Sequence, residues 1–322
     1  ELRDFLPTFI DIAGGSVPPD MDGKSLLTLV KSDTPEWRKY IDLEHATCYR
    51  PENYWCALTD GKIKYIWFFY NGQEQLFDLE KDPDELHDLS GTPEYAEILS
   101  KMRQALSDHI RVTGDLGFFL PTSRTGHILY DKVRKEKYPL NELYTLVETA
   151  GTATTASLSM LEEAITNPLS EMRFWGVVGY AKLAREKQIS SCPQALLALL
   201  QDSNPYIASE AAYAAAYLGK SQESVARLII PTEEKYRKIG YSSLECLSLD
   251  PDMRDCIHPF LSELREAAET LPRLENEDAG LMARGILVNL GEMDIQDLYG
   301  PEAYKRGLKF NYGRRAMIPL PN

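Results

Sequence analysis

The residues able to do chemistry in this 322-residue chain are spread out, and their spacing excludes several kinds of site before it suggests any. The five cysteines, at 48, 56, 192, 246 and 256, include no Cys-x-x-Cys pair and no histidine at zinc-finger distance. An odd, scattered set reads as buried free thiols rather than a disulfide framework or a metal site, and it leaves the redox compartment undecided. The acidic run Asp78, Glu80, Asp82, Asp84, Glu85 and Asp88 has the composition of a calcium loop. It lacks the Asp-x-Asp-x-Asp-Gly spacing that wraps the ion, so these residues read as solvated turn charges. His87, His109, His127 and His258 stand alone on presumed turns or helices, without partner spacing. No Gly-x-Ser-x-Gly elbow is present to expose a nucleophilic serine. The formal charge of −14 argues against nucleic acid and against an anionic membrane surface as partners, because both bind through clustered Lys and Arg. The basic cluster Lys132, Arg134, Lys135 and Lys137 is local, interleaved with acids, and reads as a solvated helix face. No run of eighteen apolar residues is present to span a bilayer.

The elements that would position these residues divide near residue 113. The chain opens inside a helix with apolar Leu2, Phe5, Leu6, Phe9 and Ile10, as a fragment of something longer would. Gly14-Gly15 ends it, and Pro18-Pro19 keeps the next stretch extended. An antiparallel meander follows, with strands expected at Ile41 to Glu44, Tyr54 to Thr59, Lys62 to Tyr70 and Gln75 to Leu79. Asp60-Gly61 and Asn71-Gly72 supply its hairpin turns. A sheet this small needs a helix over its apolar face, and Pro93 followed by Tyr95, Ile98, Leu99, Met102 and Leu106 provides one. Beyond it the pattern is nearly all helical and repeats itself. Arg173 to Leu183, Ala208 to Leu218 and Arg237 to Leu247 resemble one another, and the stretch ending at Leu290 does so more weakly. Paired helices recurring at these intervals, rich in small Ala and Gly, predict a stacked solenoid similar to HEAT repeats.

Four motifs in the meander half carry a resemblance. Residues 2–14, LRDFLPTFIDIAG, resemble the D-L-x-P-T-x-L-D-L-A-G helix that follows the last catalytic-domain strand of type I sulfatases. MDGKSLLTL, LTDGKIKYIWF and QLFDLEKDPDELHDL are similar to three further motifs of that family, in the family's order. A weaker likeness runs through Asp115–Pro121, Tyr130-Asp131 and Tyr138-Pro139 to sulfatases that carry helical repeats after the catalytic unit. The fold expected is therefore α+β: a sulfatase C-terminal subdomain over 1–113, in which a small antiparallel sheet is packed by a helix. A linker over 114–145 and an α-solenoid of HEAT-like helix pairs over 146–322 complete the chain.

The resemblance implies a parent enzyme that hydrolyses sulfate esters, with sulfated carbohydrate or another sulfated small molecule as substrate. It also implies a Cys or Ser oxidised to formylglycine in a C/S-x-P/A-x-R motif and Asp/Asn ligands to calcium. None of the five cysteines fits that motif, so no catalytic residue, metal ligand or cofactor is assigned to this chain, which is expected to be inactive alone. Its expected partner is an upstream catalytic sulfatase domain, and its expected role is to complete the fold and to form a wall of the substrate pocket. The face of Leu2, Phe5 and Phe9 is then expected to be exposed when the chain is isolated. The segment from Glu44 through Trp55 lies between two strands, where functional loops concentrate. On it His45 is placed to hydrogen-bond sulfate or sugar or to donate a proton near neutral pH, and Asn53 and Trp55 to contact a sugar ring. The competing reading of all three is structural. The other reading of the whole chain is a non-enzymatic repeat scaffold with an adaptor sheet, which would present Tyr206, Tyr213 and Tyr217 on one exposed face. Helical repeats also offer a surface for self-association.

Overall fold

The computed structural model describes residues 1–33, 36–45, 54–123, 138–230, 236–270 and 279–298. Asn53, Cys48, His127 and the basic cluster at 132–137 lie outside them. The chain forms two compact units. The first comprises Glu1–Glu44, Trp55–Trp67 and Glu74–His109, and the second His45–Tyr54, Phe68–Gln73 and Ile110–Asn322.

In the first unit, helix α1 (Phe5–Ile12) and the short α2 (Leu27–Lys31) precede strands β1 (Ile41–His45), β2 (Trp55–Thr59), β3 (Ile63–Phe68) and β4 (Gln73–Asp78). The strands form one four-stranded antiparallel sheet in chain order. Asp60 and Gly61 close the first hairpin as expected. Asp60 Oδ1 accepts from the amides of Lys62 and Ile63 at 3.0 and 2.8 Å, and Gly61 takes φ +89°. That turn sets the register Thr59 opposite Lys64 and Cys56 opposite Trp67. The middle of β3 is buried without interruption. Tyr65, Ile66 and Trp67 are all buried, as are Cys56, Ala57 and Leu58 on β2, so the central strands are covered on both faces. Helix α3 (Ala96–Thr113), entered through Pro93, buries Leu99, Met102, Leu106 and Ile110 along one stripe.

Helix α1 is turned over relative to ordinary amphipathic packing. Its inward side is polar, with Asp4 and Thr8 buried, whereas Leu2, Phe5, Leu6, Phe9 and Ile12 are 83, 46, 57, 62 and 64% exposed. The polar side is fully used. Arg38 Nη1 and Nη2 donate to the Asp4 carboxylate at 2.9 and 2.6 Å, and the Lys24 amide donates to it at 2.9 Å. The Thr8 hydroxyl donates to the Asp4 carbonyl and accepts from the Leu26 amide.

The second unit holds α4 (Leu140–Gly151), α5 (Leu158–Ile165), α6 (Ser170–Arg185), α7 (Gln194–Ala198), α8 (Pro205–Tyr217), α9 (Ser221–Ile229), α10 (Arg237–Leu249), α11 (Leu261–Thr270) and α12 (Ala279–Asn289). Helix α6 packs on α4, α5 and α8; α8 packs on α9 and α10; α12 packs on α10 and α11. Small residues set these distances. A Cβ on Gly240 of α10 would fall 2.1 Å from the Leu228 carbonyl oxygen of α9. Helix α8 begins at an Asn204 cap, whose side chain accepts from the Tyr206 amide, with Pro205 in the first turn. Within 114–145, Phe118, Phe119 and Leu120 are buried, and α4 starts at Leu140.

Candidate functional site

His45 closes β1 and Trp55 opens β2, so the structure places both at the two ends of one connection, and both side chains are half-buried. Each is engaged by a neighbour. Asn53, the third residue expected there, lies outside the described residues.

Earlier on β1 is a charged group that sequence spacing does not reveal. Asp42 Oδ1 accepts from Arg3 Nη2 at 2.7 Å, and His109 Nε2 of α3 stands 3.8 Å from the same oxygen. The adjacent His109 imidazole, followed by the Arg3 charge, holds the Asp42 carboxyl down to about 2. The carboxylate fixes the imidazole's orientation, and the trio fastens the start of the chain and α3 to the edge strand. The expectation that His87, His109 and His258 lack partners is corrected. His87 Nδ1 lies 3.4 Å from Asp82 and His258 Nδ1 lies 3.5 Å from Asp255. These are single carboxylate neighbours, two of them within a few residues in the chain, which metal and triad templates do not search for.

The acidic run serves the turn after β4. Asp78 is buried rather than solvated. It accepts from Tyr95 Oη at 2.8 Å and pairs with Lys81 Nζ at 2.9 Å, which draws its carboxyl down to about 2, with the Lys81 hydrogen bond the leading cause. Asp82 accepts from the His87 amide at 2.8 Å, and Asp88 accepts from the amides of Leu76 and Ser90 at 3.1 and 2.9 Å. No group of three or more His, Cys, Asp or Glu gathers as a metal-binding set among the described residues. These residues fit neither a calcium site nor a formylglycine centre, and no bond-breaking step follows from them.

The second unit contains a separate aromatic cluster. The Phe69 ring meets Phe118 at 4.7 Å, Trp175 at 5.9 Å and Tyr54 at 6.1 Å between centroids. Trp175 Nε1 donates to the Phe118 carbonyl at 2.9 Å. A small, almost wholly apolar pocket opens among Tyr54, Phe118, Phe174, Trp175 and Tyr206. Two buried glutamates are held by hydroxyls. Tyr138 Oη donates to Glu171 at 2.8 Å, joined by Ser123 and Ser170, and Tyr70 Oη donates to Glu210 at 2.5 Å. Of the three tyrosines that a scaffold would present, Tyr213 is 7% exposed, while Tyr206 and Tyr217 are half-buried, with Tyr217 Oη donating to Asp250 at 2.7 Å.

Comparison with known proteins bears on the first third of the chain. Residues 2–112 match the family described as N-sulphoglucosamine sulphohydrolase, C-terminal. The chain is 41% identical over 106 residues to an arylsulfatase of Clostridium perfringens, an overlap of 33% of this chain and 21% of that protein. It is 32% identical over 112 residues to an N-acetylglucosamine-6-O-sulfatase of Bacteroides thetaiotaomicron, covering 33% of this chain and 20% of that one. It is similar to the solved structure of a 2-O GAG sulfatase at 30% identity, with a TM-score of 0.33 over 35% of this chain and 25% of the other. The match thus spans about a fifth of the length of the first of these curated relatives. Residues 2–112 are a sulfatase C-terminal domain.

Proposed function

We propose that this chain is the C-terminal part of an enzyme that hydrolyses sulfate esters of carbohydrates, and that it completes the fold and lines the substrate pocket without supplying the reacting groups. The observation that carries this reading is the family match over residues 2–112, joined by relatives whose names specify sulfatases, one of them acting on N-acetylglucosamine-6-O-sulfate. The nucleophile, oxidised to formylglycine, and the calcium ion belong on this reading to an upstream catalytic domain. The outward stripe of α1 supports such a partner. Covering each of these large apolar side chains is worth ~1.5–3 kcal/mol, which makes a bare stripe of five an expensive surface to leave in water. His45, Asn53 and Trp55 form the contribution to the pocket wall, with His45 bonding sulfate or a sugar hydroxyl. The helical half is a HEAT-like stack, a reading supported by neighbour-to-neighbour helix packing and by small residues at the closest crossings. A scaffold function loses its main support, because the tyrosines it would display do not form an exposed face.

The test compares this chain with the polypeptide encoded by its complete reading frame, each assayed for sulfate release from an aryl sulfate and from N-acetylglucosamine-6-sulfate with calcium present. Release by the complete polypeptide and none by the chain alone is expected. No release by either, or release by the chain alone, would overturn the reading.

A further inference from the structure

The helical unit contains two pieces of chain that belong, by sequence, to the sulfatase domain: His45–Tyr54 and Phe68–Gln73, the latter including the turn between β3 and β4. That turn is gripped at three places. At the end of α4, Gly72 (φ +73°) lies so close that an added Cβ would stand 2.3 Å from the Gly151 carbonyl oxygen, and an added Cβ on Gly151 would stand 2.9 Å from the Phe69 carbonyl oxygen. Beside α6, the Phe69 ring meets Trp175 of that helix, together with Phe118 and Tyr54. At α8, Tyr70, itself buried, donates to buried Glu210, 140 residues away, at 2.5 Å.

We infer that the helical array acts as an intramolecular clamp, whose occupant is this chain's own β3–β4 turn together with Tyr54, in place of a separate protein or glycan. The chemistry is that of a tight protein interface. An aromatic anchor, Phe69, sits against other rings, one buried hydroxyl-to-carboxyl hydrogen bond fixes register, and a glycine pair lets two backbones touch. The inference goes beyond the proposed function and does not depend on it, since it concerns which residues rigidify together whatever the complete polypeptide hydrolyses.

The test is hydrogen exchange, followed peptide by peptide, on the full chain. Gly72→Val strains the gripped turn and drives a side chain into Gly151. Gly61→Val puts comparable positive-φ strain into the other hairpin turn, where nothing lies within 4 Å of the added Cβ. If the clamp operates, Gly72→Val raises exchange about tenfold in residues 148–152 and 205–213, and Gly61→Val leaves those peptides at wild-type rates. Tyr70→Phe removes only a hydroxyl and serves if the valine variant does not fold; it raises exchange in 205–213 by about fivefold to tenfold. Unchanged helical peptides in the Tyr70→Phe protein, or an equal response to Gly61→Val and Gly72→Val, would overturn the clamp.

Discussion

Asp4 shows how one side chain can decide the orientation of an element. It is fully buried, and Arg38 answers it with two donors at 2.6 and 2.9 Å. Replacing Asp4 with Ala leaves the guanidinium, only 13% exposed, with Glu1 as its carboxylate partner and removes two of its hydrogen bonds, a loss of about 1.5–3 kcal/mol for each bond to a charged group. A urea midpoint for Asp4→Ala within experimental error of wild type would refute that role. Asp42 makes a pH prediction. Its carboxyl pKa is lowered from 3.8 to about 2 in the folded chain, so the folded state favours the ionised form. The resulting stabilisation is complete above pH 3.8 and is lost as pH falls through about 2. Thermal melts from pH 5 down to 2 should therefore decline more gently for Asp42→Asn than for wild type. Parallel curves would assign the acid sensitivity to other carboxylates, Asp78 first among them.

At the scale of elements, α1 has a polar inner side and an apolar outer stripe, the reverse of a surface helix. Because the stripe makes little contact within its own unit, charging it should change association and leave folding intact. Leu6→Lys combined with Phe9→Glu is expected to keep the melting temperature within a few degrees, since exposed substitutions usually alter stability by about 0.5 kcal/mol or less. The same pair should make the isolated chain more monodisperse in analytical ultracentrifugation. A large drop in melting temperature would mean that the stripe is packed in solution. The existence and start of α3 were legible here from Pro93, because that signal is local. The exposed face of Leu2, Phe5 and Phe9 was legible too, because reading the chain as part of a sulfatase leaves that face for a catalytic domain to cover. The Asp4–Arg38 pair on the inner side was not, since its partners lie 34 residues apart.

At the scale of the molecule, the sequence boundary of the sulfatase domain and the boundary of the compact units differ. Tyr54, Phe69 and Tyr70 fall inside the family match, yet their rings are buried with the helical unit. A shortened polypeptide ending at residue 113 strips the cover from all three. It is expected to elute with a clearly larger aggregate fraction than the full chain in size-exclusion chromatography. A well-dispersed 1–113 protein would show that those rings find other cover.

The sequence by itself determined what depends on near neighbours. The meander follows from two-residue periodicity and the Asp60-Gly61 and Asn71-Gly72 turns, the covering helix from Pro93 and its apolar stripe, and the sulfatase kinship from four ordered motifs. The placement of His45 and Trp55 at the ends of one connection was legible for the same reason. Only the tertiary structure decided the pairing of Asp42 with His109, the burial of Asp78 and the seizure of Tyr70 by Glu210. Each of these joins groups by packing. A side chain's partner across tens or hundreds of residues is selected by which surfaces the fold removes from water, and no local pattern encodes that choice.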